Sequence, residues 1–157
     1  MRRSGASRWS RGLAAVEMAL LLPVALTLIF GLIETGNLFF TWLTVQKAAE
    51  MGARFAATGQ GEDEGTRVAQ ITAQAEILLT DLSATDAAVS VRSWPTINAT
   101  GSGVSGSAGD PCGIVEVRVS LNYHPITPLL GDVLPETIPV SGSDRKVNEP
   151  WRPCSSS

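Results

Sequence analysis

The chain has 157 residues, 44% of them hydrophobic, and a formal net charge of -3. That length accommodates one small domain of about 100 to 150 residues plus a membrane segment, and it excludes a large multidomain enzyme. Arg2, Arg3, Arg8 and Arg11 precede every acidic residue, so the part from Leu13 onward holds eight basic against fifteen acidic side chains, a net -7; this excludes a nucleic-acid-binding body, which needs clustered Lys and Arg.

Residues 11–34 read "RGLAAVEMALLLPVALTLIFGLIE". A secretory signal has an apolar core of about 7 to 15 residues followed by a small-residue cleavage site, and here the apolar run continues well past that length. Residues 13–33 match the roughly 20 residues that a bilayer requires. Pro23 and Gly31 are tolerated in such a span, where neighbours or local adjustment satisfy the backbone. The arginines before the run hold that side in the cytoplasm, which sends the C-terminal part outside. Apolar or small residues then continue at helical spacing through Ala57. A single helix of about 45 residues would be roughly 67 Å long, so half of it protrudes from the lipid. Phe39, Phe40 and Trp42 fall where aromatic anchors sit at the outer interface. Ala48, Ala49, Gly52, Ala53, Ala56 and Ala57 are small enough to let another element approach, which predicts the seat of an exported domain.

Glu17 is the anomaly. A charge at the centre of a span costs about 2.5 to 3.5 kcal/mol, and less near its end, so a carboxylate one turn inside calls for a partner. A cut between Gly12 and Leu13 would create an α-amino group four residues before Glu17, and residues four apart on a helix are neighbours. Opposite charges attract by about 4 kcal/mol at 4 Å and an effective dielectric of 20, before desolvation is subtracted. The amine of a neighbouring subunit serves equally well. The competing reading is an uncut signal anchor in which Arg8 or Arg11 answers Glu17. Glu34, at the outer boundary, is accounted for without any function.

Arg11-Gly12, Leu13-Ala14-Ala15-Val16 and Glu17 before an apolar run resemble the class III signal of type IV pilins and pseudopilins. In that family a prepilin peptidase cuts after the Gly on the cytoplasmic side, and the fifth residue of the product is Glu. Within it, residues 12–57 resemble the TadE-like group of tight-adherence (Flp) pilus systems. The shared features are the Gly12-x4-Glu17 opening, Pro23 six residues after that Glu, the Gly31, Glu34 and Gly36 spacing, and the Ala48, Ala49, Gly52, Ala53 and Arg54 stretch. More loosely, "TIPVSGSDRKVNEPW" resembles the group's terminal segment, with Arg145 and then Glu149. Met18 follows Glu17 where major Flp pilins commonly carry Tyr, and the chain is longer than those fibre-forming subunits. The resemblance thus implies a minor pseudopilin: a substrate of the prepilin peptidase and a methylase, and no enzyme. Its implied partners are the major Flp-type pilin, a sister pseudopilin and the inner-membrane assembly platform.

Beyond Thr58, "GQGEDEG" is a turn-rich acidic link. Glu62, Asp63 and Glu64 lack the alternate spacing of a calcium loop and are expected to favour the next helix start through its dipole. That helix is predicted over 66–82, burying Val68, Ile71, Ala75, Leu78, Leu79 and Leu82. Residues 87–94 read as a strand. "GIVEVRVSLNY" is the clearest strand, with Val115, Val117, Val119, Leu121 and Tyr123 on one face and Glu116, Arg118, Ser120 and Asn122 on the other. A third strand is predicted over 136–147, its Pro139 marking an edge. Gly101, Gly103 and Gly106 spell a dinucleotide-binding pattern, but no helix opens behind them, and the segment is expected to be a flexible loop.

Cys112 and Cys154 both fall in the exported part, where a disulfide is the simplest reading and would stabilise by roughly 4 kcal/mol on the chain-entropy model; two free buried thiols are the alternative. His124 is the only histidine, so no zinc site is expected, nor any other metal or cofactor. A Cys112–His124 nucleophile pair would need a reactive thiol and lacks an orienting partner; His124 is expected to be a strand-end residue with a satisfied ring.

The fold expected is α+β and pilin-like: a cytoplasmic leader over 1–12, a transmembrane and protruding spine helix over 13–57, and an extracytoplasmic domain over 58–157 with a second helix and a short antiparallel sheet. The protein would sit in the bacterial inner membrane as a single-pass subunit with its N-terminus cytoplasmic, assembling or priming a pilus and possible to incorporate in it. The alternative is an uncleaved, singly anchored envelope protein whose exported domain binds another cell-surface component.

Overall fold

In the computed structural model, residues 8–82, 86–127 and 134–154 are described, with backbone alone at 8–11 and 81. Fifty consecutive residues form one helix, α1 (Arg8–Ala57), about 75 Å long at 1.5 Å per residue. Among the described residues it is the one helix long and apolar enough to cross a membrane. Its inner half is rich in Leu and Ala, and Pro23 sits inside it without ending it. The hydroxyls of Thr27, Thr35 and Thr44 donate to the carbonyls of Pro23, Gly31 and Phe40, each four residues back, at 2.8, 2.8 and 2.9 Å. At Thr27, inside the 13–33 span, that satisfies a donor that would otherwise face hydrocarbon unpaired. From Arg8, the first described residue, the helix runs unbroken through Gly12 and Leu13.

Its outer end is closed by Thr58, whose hydroxyl donates to Phe55 O at 2.8 Å, and by Gly59, whose N–H reaches Ala56 O at 3.3 Å. Gly59 has φ +73°, and a Cβ there would lie 2.3 Å from the Trp151 ring. Glycine meets both demands of this helix end, a left-handed conformation and a close aromatic neighbour.

The second helix, α2 (Arg67–Glu76), is shorter than the 66–82 expected, and a 3-10 turn follows at Thr80–Leu82. The reason is local: Leu79 N–H bonds Glu76 O at 2.9 Å, an i+3 contact, and the Thr80 hydroxyl takes the Glu76 and Ile77 carbonyls. The apolar face is as read, with Ile71, Ala75 and Leu79 buried and Val68, Leu78 and Leu82 packed at its margin.

Among the described residues four strands, not three, make the sheet: β1 (Ala88–Trp94), β2 (Val104–Ser105), β3 (Ile114–Tyr123) and β4 (Ile138–Val147), in the order β2-β1-β3-β4 and antiparallel throughout. β2 arises inside the glycine-rich segment expected to be a flexible loop. Val104 and Ser105 pair with Ser93 and Arg92, and Trp94 Nε1 donates to Gly101 O at 3.0 Å. β3 buries Val115, Val117, Val119, Leu121 and Tyr123 as its alternation predicts. Glu116, expected on the open face, is buried as well: Arg145 stands opposite it on β4 and pairs with it, the guanidinium Cζ lying 4.3 Å over the Trp94 ring. The polar face is closed by an ion pair and an aromatic. β4 is an edge strand carrying Pro139, as read.

The apolar sheet face lies against α1 and α2. Val45, Ala48, Ala49, Ala53 and Ala56 are fully buried, so the small stripe is the domain's seat. Contact there is backbone-close: a Cβ on Gly52 would meet Val117 Cγ1 at 3.0 Å, and one on Gly142 would lie 2.8 Å from Gln46 Cα. Gln46 also donates through Nε2 to Ser143 O at 3.1 Å, occupying one carbonyl of the edge strand. A Gly142→Val substitution is therefore expected to push β4 off α1, lowering stability by about 1 to 3 kcal/mol as overpacking does; thermal unfolding of the detergent-extracted protein should show a reduced midpoint.

Candidate functional site

Residues 34–57 of α1 span about 36 Å at helical rise, and the ten residues of β3 span about 33 Å at strand rise. The two elements run antiparallel and are matched in length. At the membrane-proximal end stands Glu34, only 4% exposed. Its carboxylate accepts four hydrogen bonds: from Tyr123 Oη at 2.6 Å, from Ile126 N at 3.2 Å, from Thr127 N at 3.0 Å, and from the Thr127 hydroxyl. All four partners are donors, which suits an ionised carboxylate, an acceptor only. Burial, then the hydrogen bond to Glu34 and its charge, hold the Tyr123 hydroxyl well above the ordinary phenol range, so it remains a donor. The expectation that Glu34 is an idle boundary carboxylate is overturned: a buried, fully bonded charge fastens the segment after β3 onto the spine.

The distal end is fastened differently. The last carbonyls of a helix lack intrahelical partners; here Arg67 Nη2 donates to Ala56 O at 2.8 Å and Glu149 N–H to Ala57 O at 2.8 Å. Arg67 is 3% exposed, bonds Glu62 Oε2 at 2.9 Å and Gly109 O at 2.6 Å, and its Cζ lies 4.4 Å from the Trp151 ring centre. The acidic run thus acts otherwise than expected: Glu62 pairs with Arg67 and Asp63 with Arg152, and no acid sits in the first turn of α2. Beside this cluster Cys112 and Cys154 are joined, their Cα atoms 5.7 Å apart. Asn148 donates to Ala108 O and Asp110 O, both at 2.9 Å.

Gly12, Leu13 and Glu17 are all exposed on the inner part of α1. Nothing lies within 4 Å of a Cβ built on Gly12. Arg2, Arg3 and the side chains of Arg8 and Arg11 lie outside the described residues. His124 is exposed immediately after β3, while Cys112 precedes that strand. The two stand at opposite ends, roughly 33 Å apart by strand rise, so the structure does not bring the nucleophile pair together.

Sequence reasoning missed Glu34, Arg67 and Gln46. Glu34 did carry a signal: it sits in register with Leu38, Thr41 and Val45 on the stripe that becomes the domain seat. Arg67 carried none, since its partners are mostly main-chain carbonyls far apart in sequence.

Comparison with protein families matches residues 12–54 to TadE, described as TadE-like protein. Neither curated proteins nor solved structures yield a match. The matched segment takes in Gly12, Leu13, Glu17, Glu34 and the small-residue seat, and stops short of the sheet.

Replacing Glu34 by Ala strands two buried N–H groups and two hydroxyls, so a loss of about 2 to 4 kcal/mol is expected, with faster hydrogen exchange at the Ile126 and Thr127 amides. Tyr123→Phe removes one donor of four and should cost about 1 kcal/mol. Equal exchange at these amides in wild type and Glu34→Ala would contradict the fastening role.

Proposed function

From a chain that is TadE-like over residues 12–54, we propose a minor pseudopilin that takes part in assembling or priming a tight-adherence (Flp-type) pilus. The TadE-like match supports involvement in Tad pilus systems. The observation that carries the finer reading is one continuous helix whose inner part is lipid-compatible and whose outer part is the spine of a folded domain. In this reading the N-terminus is cytoplasmic, the domain lies beyond the bacterial inner membrane, and a prepilin peptidase cuts between Gly12 and Leu13. The cut turns Leu13 into a helix start with four unpaired N–H groups and a positive dipole end. Glu17, the fifth residue of the product, then stands one turn from an ammonium group, its own or that of the neighbouring subunit. Lateral packing of these helices joins the subunit to the major pilin, a sister pseudopilin and the assembly platform.

Cys112 and Cys154 fit the same topology, because a disulfide persists in an exported, oxidising compartment. Alkylation should label both cysteines only after reduction; labelling before reduction would return the thiol readings.

Intact-mass measurement of the membrane-extracted protein should give a product starting at Leu13, whereas a chain retaining Met1 throughout would reject the pseudopilin and favour the uncleaved envelope anchor. Glu17→Gln should leave cleavage intact and reduce incorporation with other pilin-type subunits, read by co-purification. Full co-purification would sink the electrostatic role given to Glu17.

A further inference from the structure

Glu34 is the first residue after the 13–33 span, and its carboxylate holds the backbone N–H groups of Ile126 and Thr127 at 3.2 and 3.0 Å. A carboxylate reaches only a few ångströms from its own Cα, so residues 124–127 are fixed at the level where the span ends. Interfacial headgroup layers are about 5 to 8 Å thick on each side of the hydrocarbon. Ile126 is thus held inside that layer, yet its side chain is 63% exposed. A large aliphatic side chain pinned at this depth and left exposed among the described residues has lipid as its nearest apolar medium.

A second apolar feature stands just beyond it, toward the outer edge of the headgroup layer. A groove of about 470 Å³ runs between α1 and the start of β4, lined by Leu38, Phe39, Trp42, Ile138 and Pro139. Those α1 residues lie about 7 to 14 Å beyond Ile33 at helical rise, and Phe39 and Trp42 remain 57% and 43% exposed. The groove continues the lipid-facing surface of the span instead of opening at a separate place.

We propose that the exported domain rests on the bilayer through a second contact, in which Ile126 sits in the boundary between headgroups and acyl chains and the α1–β4 groove faces the outer headgroup layer. The protein then meets lipid both as a spanning helix and as an interfacial rim, and Glu34 is the residue that sets the rim's depth. The inference depends on the span reading above, but not on cleavage or on pilus assembly.

The test places single nitroxide labels on the full chain in phosphatidylcholine nanodiscs, at Leu32→Cys, Ile126→Cys and Ile97→Cys, with Cys112 and Cys154 left paired. Ile97 is 66% exposed beyond the far end of β1, and Leu32 is 75% exposed within the span. Collision with oxygen relative to a water-soluble nickel chelate reports depth. The expected result is a lipid-like ratio at Leu32, an intermediate ratio at Ile126 several-fold above that at Ile97, and a fall at Ile126 toward the Ile97 value when Glu34→Ala is added. A lipid-like Leu32 with Ile126 equal to Ile97 would overturn the rim and leave the span standing. A water-like Leu32 would remove the span and the rim together. A label at Ile126 immobilised and shielded from both colliders would also overturn it, and would assign this face to a protein neighbour.

Discussion

The outer half of α1 is tied to the sheet at both of its ends, and the arrangement of the whole α+β domain depends on those two ties. At the lower end the tie is a buried carboxylate taking donors from Tyr123, Ile126 and Thr127. At the upper end it is a pair of helix-terminal carbonyls taking donors from Arg67 and Glu149. Each supplies what an unassisted helix lacks there, since a buried charge needs partners and terminal carbonyls have none of their own. Between them the contact surface is nearly featureless, Ala48, Ala49, Gly52, Ala53 and Ala56 against valines of β3. Small side chains allow close approach but do little to fix position along the axis, so the polar ends set the register.

One helix therefore has two surfaces with different demands. Leu13 to Ile33 present apolar side chains outward on all sides, as suits a lipid solvent and helical neighbours within it. From Glu34 onward one stripe turns inward to the sheet while Phe39, Phe40, Trp42 and Leu43 stay outside. Glu34 stands where the first regime gives way to the second. A carboxylate at that point is tolerated because the domain, and not the bilayer, provides its environment.

Much of this was legible from residue order. The period-two alternation from Val115 to Tyr123 located β3 and its inner face, because an apolar face laid on helices leaves that pattern in any sequence. The small residues from Ala48 to Ala57 located the seat, because close packing excludes larger side chains. What stayed hidden was long-range polar pairing. Glu34 and Thr127, or Arg67 and Gly109, are distant in sequence, and a charged residue looks the same whether it will be solvated or buried. Glu116 was misread for that reason, its partner Arg145 lying on another strand. β2 was missed because two residues between glycines carry no periodicity at all. Gly12, Leu13 and Glu17, the proposed processing and assembly residues, are read from spacing and resemblance alone, since they lie within one local stretch.

The long elements of the domain share a direction: α1 points away from the bilayer, β3 returns toward it and β4 runs outward again. A load applied along the helix is consequently met lengthwise by the β3–β4 ladder, whose bonds lie across the strands and must slide together rather than peel one by one. The two end ties anchor that ladder to the rod, so mechanical tension is shared along the full height of the domain.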